Sequence, residues 1–188
     1  MKRINFLLLL AILFACSAVT LAQDTTNSFR KDFLRDLRST QKKFVDLGNA
    51  MPAESYSWRP MAGVRSLSEV YMHVAASNYK MLTSAGIKTP DGYPDNDTSI
   101  TEKSKVVEAL NKSFDYVRDQ FNKLSDADLA KSVKLYGTAT TVQGVFFSVA
   151  MHEHEHLGQS IAYARQNKIV PPWTAEQQMN RGKKRDSE

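Results

Sequence analysis

Four stretches of this chain carry apolar residues three or four positions apart, and none carries a sustained alternation of apolar and polar residues. The first pattern is that of a helix with one buried stripe, and the second would have marked a half-buried strand. Phe29, Phe33, Leu37, Phe44 and Leu47 trace the stripe of a first helix over residues 27–51, broken at Pro52. Tyr56-Ser57-Trp58-Arg59-Pro60 follows as a connector whose large aromatics are expected to fold back onto the core. Ser66-Leu67-Ser68-Glu69 has the S-x-x-E spacing of a capping box and opens a second helix. Leu67, Val70, Val74, Asn78 and Met81 or Leu82 form its inner stripe, and Gly86 is a natural stop.

Residues 88–98, with two prolines, a glycine and three aspartates, read as a long loop. A third helix over 101–124 presents Val107, Leu110, Phe114, Val117, Phe121 and Leu124, and Ser125-Asp126-Ala127-Asp128 closes it and caps a further short turn. The fourth begins near Thr140 or Thr141 and runs to about Asn167, with Pro171-Pro172 read as barring further helix. Residues 133–139 are β-branched and contain a glycine, which allows a brief extended piece but no expected sheet. The reading is an all-α four-helix bundle over 27–173 with two long connections, followed by a polar, loosely held tail over 174–188.

The first two dozen residues stand apart from that domain. Lys2 and Arg3 precede an unbroken apolar run from Phe6 to Phe14, and Thr20-Leu21-Ala22 places small residues before Gln23. The run is too short to span a bilayer, so residues 1–22 are expected to be a signal peptide and the domain to be exported, periplasmic or secreted. Cleavage after Ala22 is preferred over lipidation of Cys16, where Leu13-Phe14-Ala15-Cys16 is an imperfect lipoprotein box. Either way the domain has no cysteine, which excludes a disulfide framework, a thiolate ligand and a cysteine nucleophile.

Charge excludes another class of partner. Without Lys2 and Arg3 the chain has 23 basic and 20 acidic residues, and part of that surplus sits in the last eight positions. No basic stripe is left for nucleic acid. No membrane span is expected, a homodimer is allowed for, and the partner expected is a small-molecule substrate of unknown identity.

The four histidines carry the chemistry. Three fall in His152-Glu153-His154-Glu155-His156, on the fourth helix. Residues four apart on a helix lie ~40° from one another around its axis, so His152 and His156 share a face, whereas His154 lies ~200° from His152. Val145, Val149, His152, His156, Gln159 and Tyr163 form one stripe, apolar in its first half and polar in its second, as a site embedded in a bundle requires. Two imidazoles fill two coordination positions, and His73 on the second helix is the one other histidine. Glu153 and Glu155, ~60–100° off the ligand face, suit supporting or outward roles, and Gln159 is the closer companion. The segment also satisfies H-E-x-x-H, the zincin protease pattern, with Glu176 as a conceivable third ligand. The lack of strands for peptide binding, and the position of Glu176 beyond two prolines, set that reading aside.

Trp58-Arg59-Pro60, Ser66 to Glu69 leading to His73, and His152-x-x-x-His156 with Gly158-Gln159, Tyr163, Arg165 and Pro171-Pro172 together resemble the DinB-like superfamily of metal-binding four-helix bundles. The resemblance implies a site of His73, His152 and His156 holding a divalent ion, zinc or nickel foremost. Leu157 departs from the arginine usual in the family between histidine and glycine. The family's known thiol chemistry is not carried over to an exported chain. Three neutral imidazoles leave an open coordination position, the arrangement of a catalytic site. The expected function is a metal-dependent hydrolase or transferase, with a non-catalytic metal- or ligand-binding envelope protein as the alternative.

Overall fold

A computed structural model describes residues 28–95 and 97–185. The expected signal peptide, its cleavage site and Cys16 lie outside the described residues. The chain divides into two units, residues 1–35 and 36–188. In the first, residues 28–35 are helical, and the Phe29 and Phe33 rings stack with centroids 5.8 Å apart. Everything below concerns the second unit.

Helix α1 occupies residues 36–50 of this unit. Its Leu37, Phe44 and Leu47 are fully buried, as the three-and-four spacing requires. A 3-10 turn, Ala53–Ser57, follows Pro52 and tucks Tyr56 inward, where its hydroxyl donates to the Gly48 carbonyl at 2.9 Å. Gly48 is small for a reason: a Cβ there would meet Tyr71 and Val107 at 3.0 Å.

Helix α2, Leu67–Thr83, starts at the capping box its sequence announces. The Ser66 hydroxyl accepts from the Glu69 amide at 3.3 Å, and the Glu69 carboxylate accepts from the Ser66 amide at 2.8 Å. Arg59 donates to the other Glu69 oxygen at 2.9 Å, tying the preceding connector to the cap. Gly86, at φ +77°, supplies the left-handed residue after the helix.

Helix α3, Lys103–Lys123, buries Val106, Leu110, Phe114, Val117 and Phe121. One turn of helix, α4 (Asp126–Leu129), follows on a second capping box at Ser125. The main helix of the second half is α5, Val142–Gln166, capped by the Thr141 hydroxyl on the Gly144 amide at 3.1 Å. Aromatic contacts join the helices: Phe44 meets Tyr71 at 5.4 Å and Phe114 at 5.8 Å, and Phe121 meets Phe146 at 5.0 Å. Helix α2 packs on both α3 and α5, and the core runs between α1, α2, α3 and α5. That is the expected four-helix bundle.

Two expectations need correction. Residues 132–141 form a small antiparallel sheet, β1 (Ser132–Leu135) paired with β2 (Thr138–Thr141), so the domain is mostly helical rather than all-α. The turn between the strands, Tyr136-Gly137, has positive φ at both residues, 50° and 83°. Those angles fit a two-residue hairpin, a geometry in which Asn or Asp is commoner than Tyr at the first position, so the signal was weak. The other correction concerns Pro171-Pro172. A proline is excluded from a helix interior but is favoured at the first helical position, where its missing N–H is unneeded. Pro172 takes that place, and the polar segment beyond it is a helix, α6 (Pro172–Arg185), with no buried residue. Among the described residues, no helix is long and apolar enough to cross a membrane.

Candidate metal centre

Helices α2 and α5 contact one another along their polar stretches, which brings His73, His152 and His156 together. One nitrogen from each lies within 4.8 Å of the others. The ring centroids are 4.5 to 5.0 Å apart, all three pairs edge to face. Nε2 of His152 stands 3.1 Å from Nε2 of His73. Two nitrogens on one zinc, each at ~2.0–2.1 Å in tetrahedral geometry, are roughly 3.3 Å apart. The spacing therefore fits two corners of one coordination sphere.

The protonation states fit as well. Burial holds His73 down at about 4, with the charge of Arg65 and then those of His156 and His152 acting in the same direction. His152 is also held down to about 4, by burial first and then by His156, with Glu155 opposing. Both rings are thus neutral at physiological pH, the form a metal requires. Nδ1 of His156 faces Oε1 of Gln159 at 2.8 Å, an acceptor that keeps the proton on Nδ1 and leaves Nε2 for a metal. The Gln159 amide is itself oriented, since its Nε2 donates to the Tyr163 hydroxyl at 2.9 Å, and that hydroxyl donates to the Arg65 carbonyl at 3.0 Å. Trp58 packs edge-on against Tyr163 at 5.3 Å, so the expected aromatic connector braces this chain. Nδ1 of His152 is buried without a partner, so no such bond selects its tautomer; ligation through Nε2 would.

These shifts carry a pH signature in metal-free protein. A histidine whose folded-state pKa lies below its unfolded value contributes fully above the unfolded value, and that contribution is lost as pH falls through the folded one. For His73 and His152 the window runs from about 6.5 down to about 4. Thermal melts in chelator should show stability falling with acid across that window, with a shallower slope in His73→Ala and His152→Ala.

His154 is excluded from the cluster, as its angular position implies. Its Nε2 lies 3.0 Å from both Asp36 carboxylate oxygens and 3.3 Å from the Thr40 hydroxyl. Gln159 is the ligand companion expected of it. Glu155 is exposed, in line with an outward role.

Glu153 is where the structure adds most. It is 0 % exposed in the core, and burial pushes its carboxyl well above the usual range, with Asp36 adding to the effect. Asn78 Nδ2 donates to the Ser113 hydroxyl at 3.1 Å, and that hydroxyl donates to the Leu110 carbonyl at 2.7 Å. The amide orientation is therefore set, leaving Asn78 Oδ1 as a buried acceptor without a donor beside a carboxyl whose two oxygens also lack partners. A neutral Glu153 has the O–H such an acceptor needs. A glutamate committed to the core cannot serve as general base at the metal, which removes the zincin reading. Glu176, its conceivable third ligand, lies instead on α6 beside Lys42 and Trp173.

A family model of the DinB superfamily matches residues 36–160. The chain belongs to the DinB superfamily. A DinB-like protein from Bacillus cereus shares its fold with a TM-score of 0.66 at 20 % identity, over 78 % of this chain and 95 % of that one. A DinB-like protein from Bacillus subtilis matches at 0.57 and 15 % identity, over 74 % and 94 %. YfiT from Bacillus subtilis, described as a probable metal-dependent hydrolase with an unusual four-helix bundle topology, matches at 0.58 and 14 % identity, over 74 % and 88 %. No curated protein matches the sequence.

Proposed function

We propose that this chain is an exported metal-dependent enzyme of the hydrolase or transferase type, with His73, His152 and His156 holding zinc or nickel. The observation that carries the reading is the 3.1 Å approach of two neutral imidazoles from different helices, with a third ring beside both. The description of YfiT as a probable metal-dependent hydrolase supports it by likeness of fold. The charged, apolar and small-residue pattern of residues 1–22 supports export.

A divalent ion on three imidazoles would supply an acidified water or polarise a substrate carbonyl at its open position. The protein's own groups do the rest. Gln159 holds the His156 tautomer, and Tyr163 holds Gln159. Glu155 is exposed and lines the same groove as His152, which places it to take a proton from a group held there. Asp36 is engaged with His154 and Glu153 is sequestered, which leaves Glu155 as the carboxylate at hand.

Zinc- and nickel-loaded protein, assayed with activated esters, anilides and a thiol-transfer pair, should show metal-dependent turnover with at least one class. That turnover should fall more than about 100-fold in His152→Ala and survive in His154→Ala. Tight metal binding without turnover on all three classes would replace the enzyme by a metal-binding envelope protein.

A further inference from the structure

Two features adjoin the histidine cluster. One is a groove of about 610 Å³ walled by Met81, Leu135, Tyr136, Phe147, Met151 and His152. It contains three of the large apolar side chains most exposed in the structure, Tyr136 at 83 % and Phe147 and Met151 at 57 % each. Its size is that of a small-molecule site, and thioethers with aromatic rings form a wall that adapts to an aliphatic chain. Glu155 and the paired His154 supply its polar edge.

The other feature is Arg65, in the connector just before the α2 cap. Its carbonyl is anchored through Tyr163 and Gln159 to the ligand His156, a continuous chain of hydrogen bonds. Its side chain is exposed, with no ion-pair or hydrogen-bond partner among the described residues, yet its charge is felt at both His73 and His152. An exposed, unpaired guanidinium on a residue whose backbone is tied to the histidine cluster is suited to an anionic oxygen group, which it can grip through two parallel N–H donors. His152 is common to the two features, since it walls the groove and feels Arg65.

We propose that the site acts on an amphipathic organic anion, with the apolar chain in the groove under the hairpin and the anionic head drawn to Arg65 across the histidine cluster. The proposal deepens the metal-enzyme reading above and rests on it. Glu155 at the groove edge sets the orientation, because it repels the head and accepts the uncharged chain. The head is a carboxylate or a phosphate, whose shared chemistry is a delocalised oxyanion.

The test is a binding titration by calorimetry with octanoate, octyl phosphate, acetate and octylammonium, on zinc-loaded and on chelator-treated protein. The chelator-treated arm reads the groove and Arg65 without direct ligation of carboxylate by zinc. Octanoate or octyl phosphate should bind at least tenfold more tightly than acetate and octylammonium in both arms. Phe147→Asp should remove the preference for the eight-carbon chain. Arg65→Ala should reduce the preference for anion over ammonium at least fivefold, and Arg65→Lys should keep most of it. Both side chains are exposed, so the variants are expected to fold, and circular dichroism checks this. Equal binding of octanoate and octylammonium, or an Arg65→Ala protein with unchanged preference, overturns the proposal. So does a wild-type dimer that binds no octanoate and becomes monomeric in Phe147→Asp, because the groove would then belong to a second copy. Zinc binding is measured on the same samples: the octanoate preferences without zinc binding defeat the metal reading alone, and zinc binding without them defeats this inference alone.

Discussion

Replacing His152 with alanine should lower zinc affinity by at least about 100-fold, read by competition with a chromophoric chelator. His73→Ala should do the same, and His154→Ala should leave affinity within about twofold. The magnitude follows from coordination: a site with three protein ligands that loses one keeps too few bonds to compete with water and buffer. His73 and His152 are expected to act alike because their Nε2 atoms are partners, 3.1 Å apart. Gln159→Ala should have an intermediate effect of about 10-fold, since it removes the acceptor that fixes His156 without removing a ligand. A protein in which His154→Ala abolishes binding, while His73→Ala does not, would have its metal elsewhere.

Glu153→Gln should raise thermal stability at pH 7 and leave it nearly unchanged near pH 4. The sign follows from a folded-state pKa raised well above the ordinary glutamate value of 4.5. Below 4.5 both the folded and unfolded chains hold the proton. As pH rises past that value the unfolded chain loses its proton while the folded one keeps it, so unfolding is favoured and stability declines until the folded carboxyl itself ionises. Glutamine keeps the shape and offers Asn78 Oδ1 an N–H donor, with nothing to ionise. For a domain of this size each kcal/mol corresponds to about 2–4 °C, so a rise of several degrees at pH 7 is expected, read by melts from pH 4 to 8. Glu153→Ala should go the other way by about 2–4 kcal/mol, since it opens a cavity and leaves Asn78 Oδ1 unpaired. A wild-type melting temperature that does not decline relative to Glu153→Gln between pH 4 and 8 would show that the carboxyl is ionised in the core.

How much of this could be read from residues alone differs from place to place. The caps at Ser66 and Ser125 were legible because a capping box is a local pattern whose partners lie three residues apart. The helix stripes were legible because burial repeats with the helical period, and the histidine face followed from the same geometry. The hairpin at 132–141 was not foreseen as a sheet, because four-residue strands carry little periodicity and Tyr136-Gly137 is not a strong turn signal. Helix α6 was missed because a proline pair that stops one helix can equally begin the next. Glu153 needed the third dimension: its neighbours Asn78 and Asp36 come from other helices, and only their placement shows the carboxyl sealed inside. The same holds for Arg65, whose tie to His156 runs through two side chains of α5.

The ligands come from only two helices, and the pair in closest contact is 79 residues apart along the chain. The full three-histidine set exists only in the folded bundle, so an ion that binds it selects that state and stabilises it by at most RT ln(1 + [M]/Kd), less whatever the His152–His156 segment binds when unfolded. At a free metal concentration 100 times the dissociation constant that is about 2.7 kcal/mol, a sizeable share of the stability of an ordinary domain. The lifetime of each metal-binding molecule would then be metered by the metal supply around it, so that scarcity thins the population through unfolding and proteolysis.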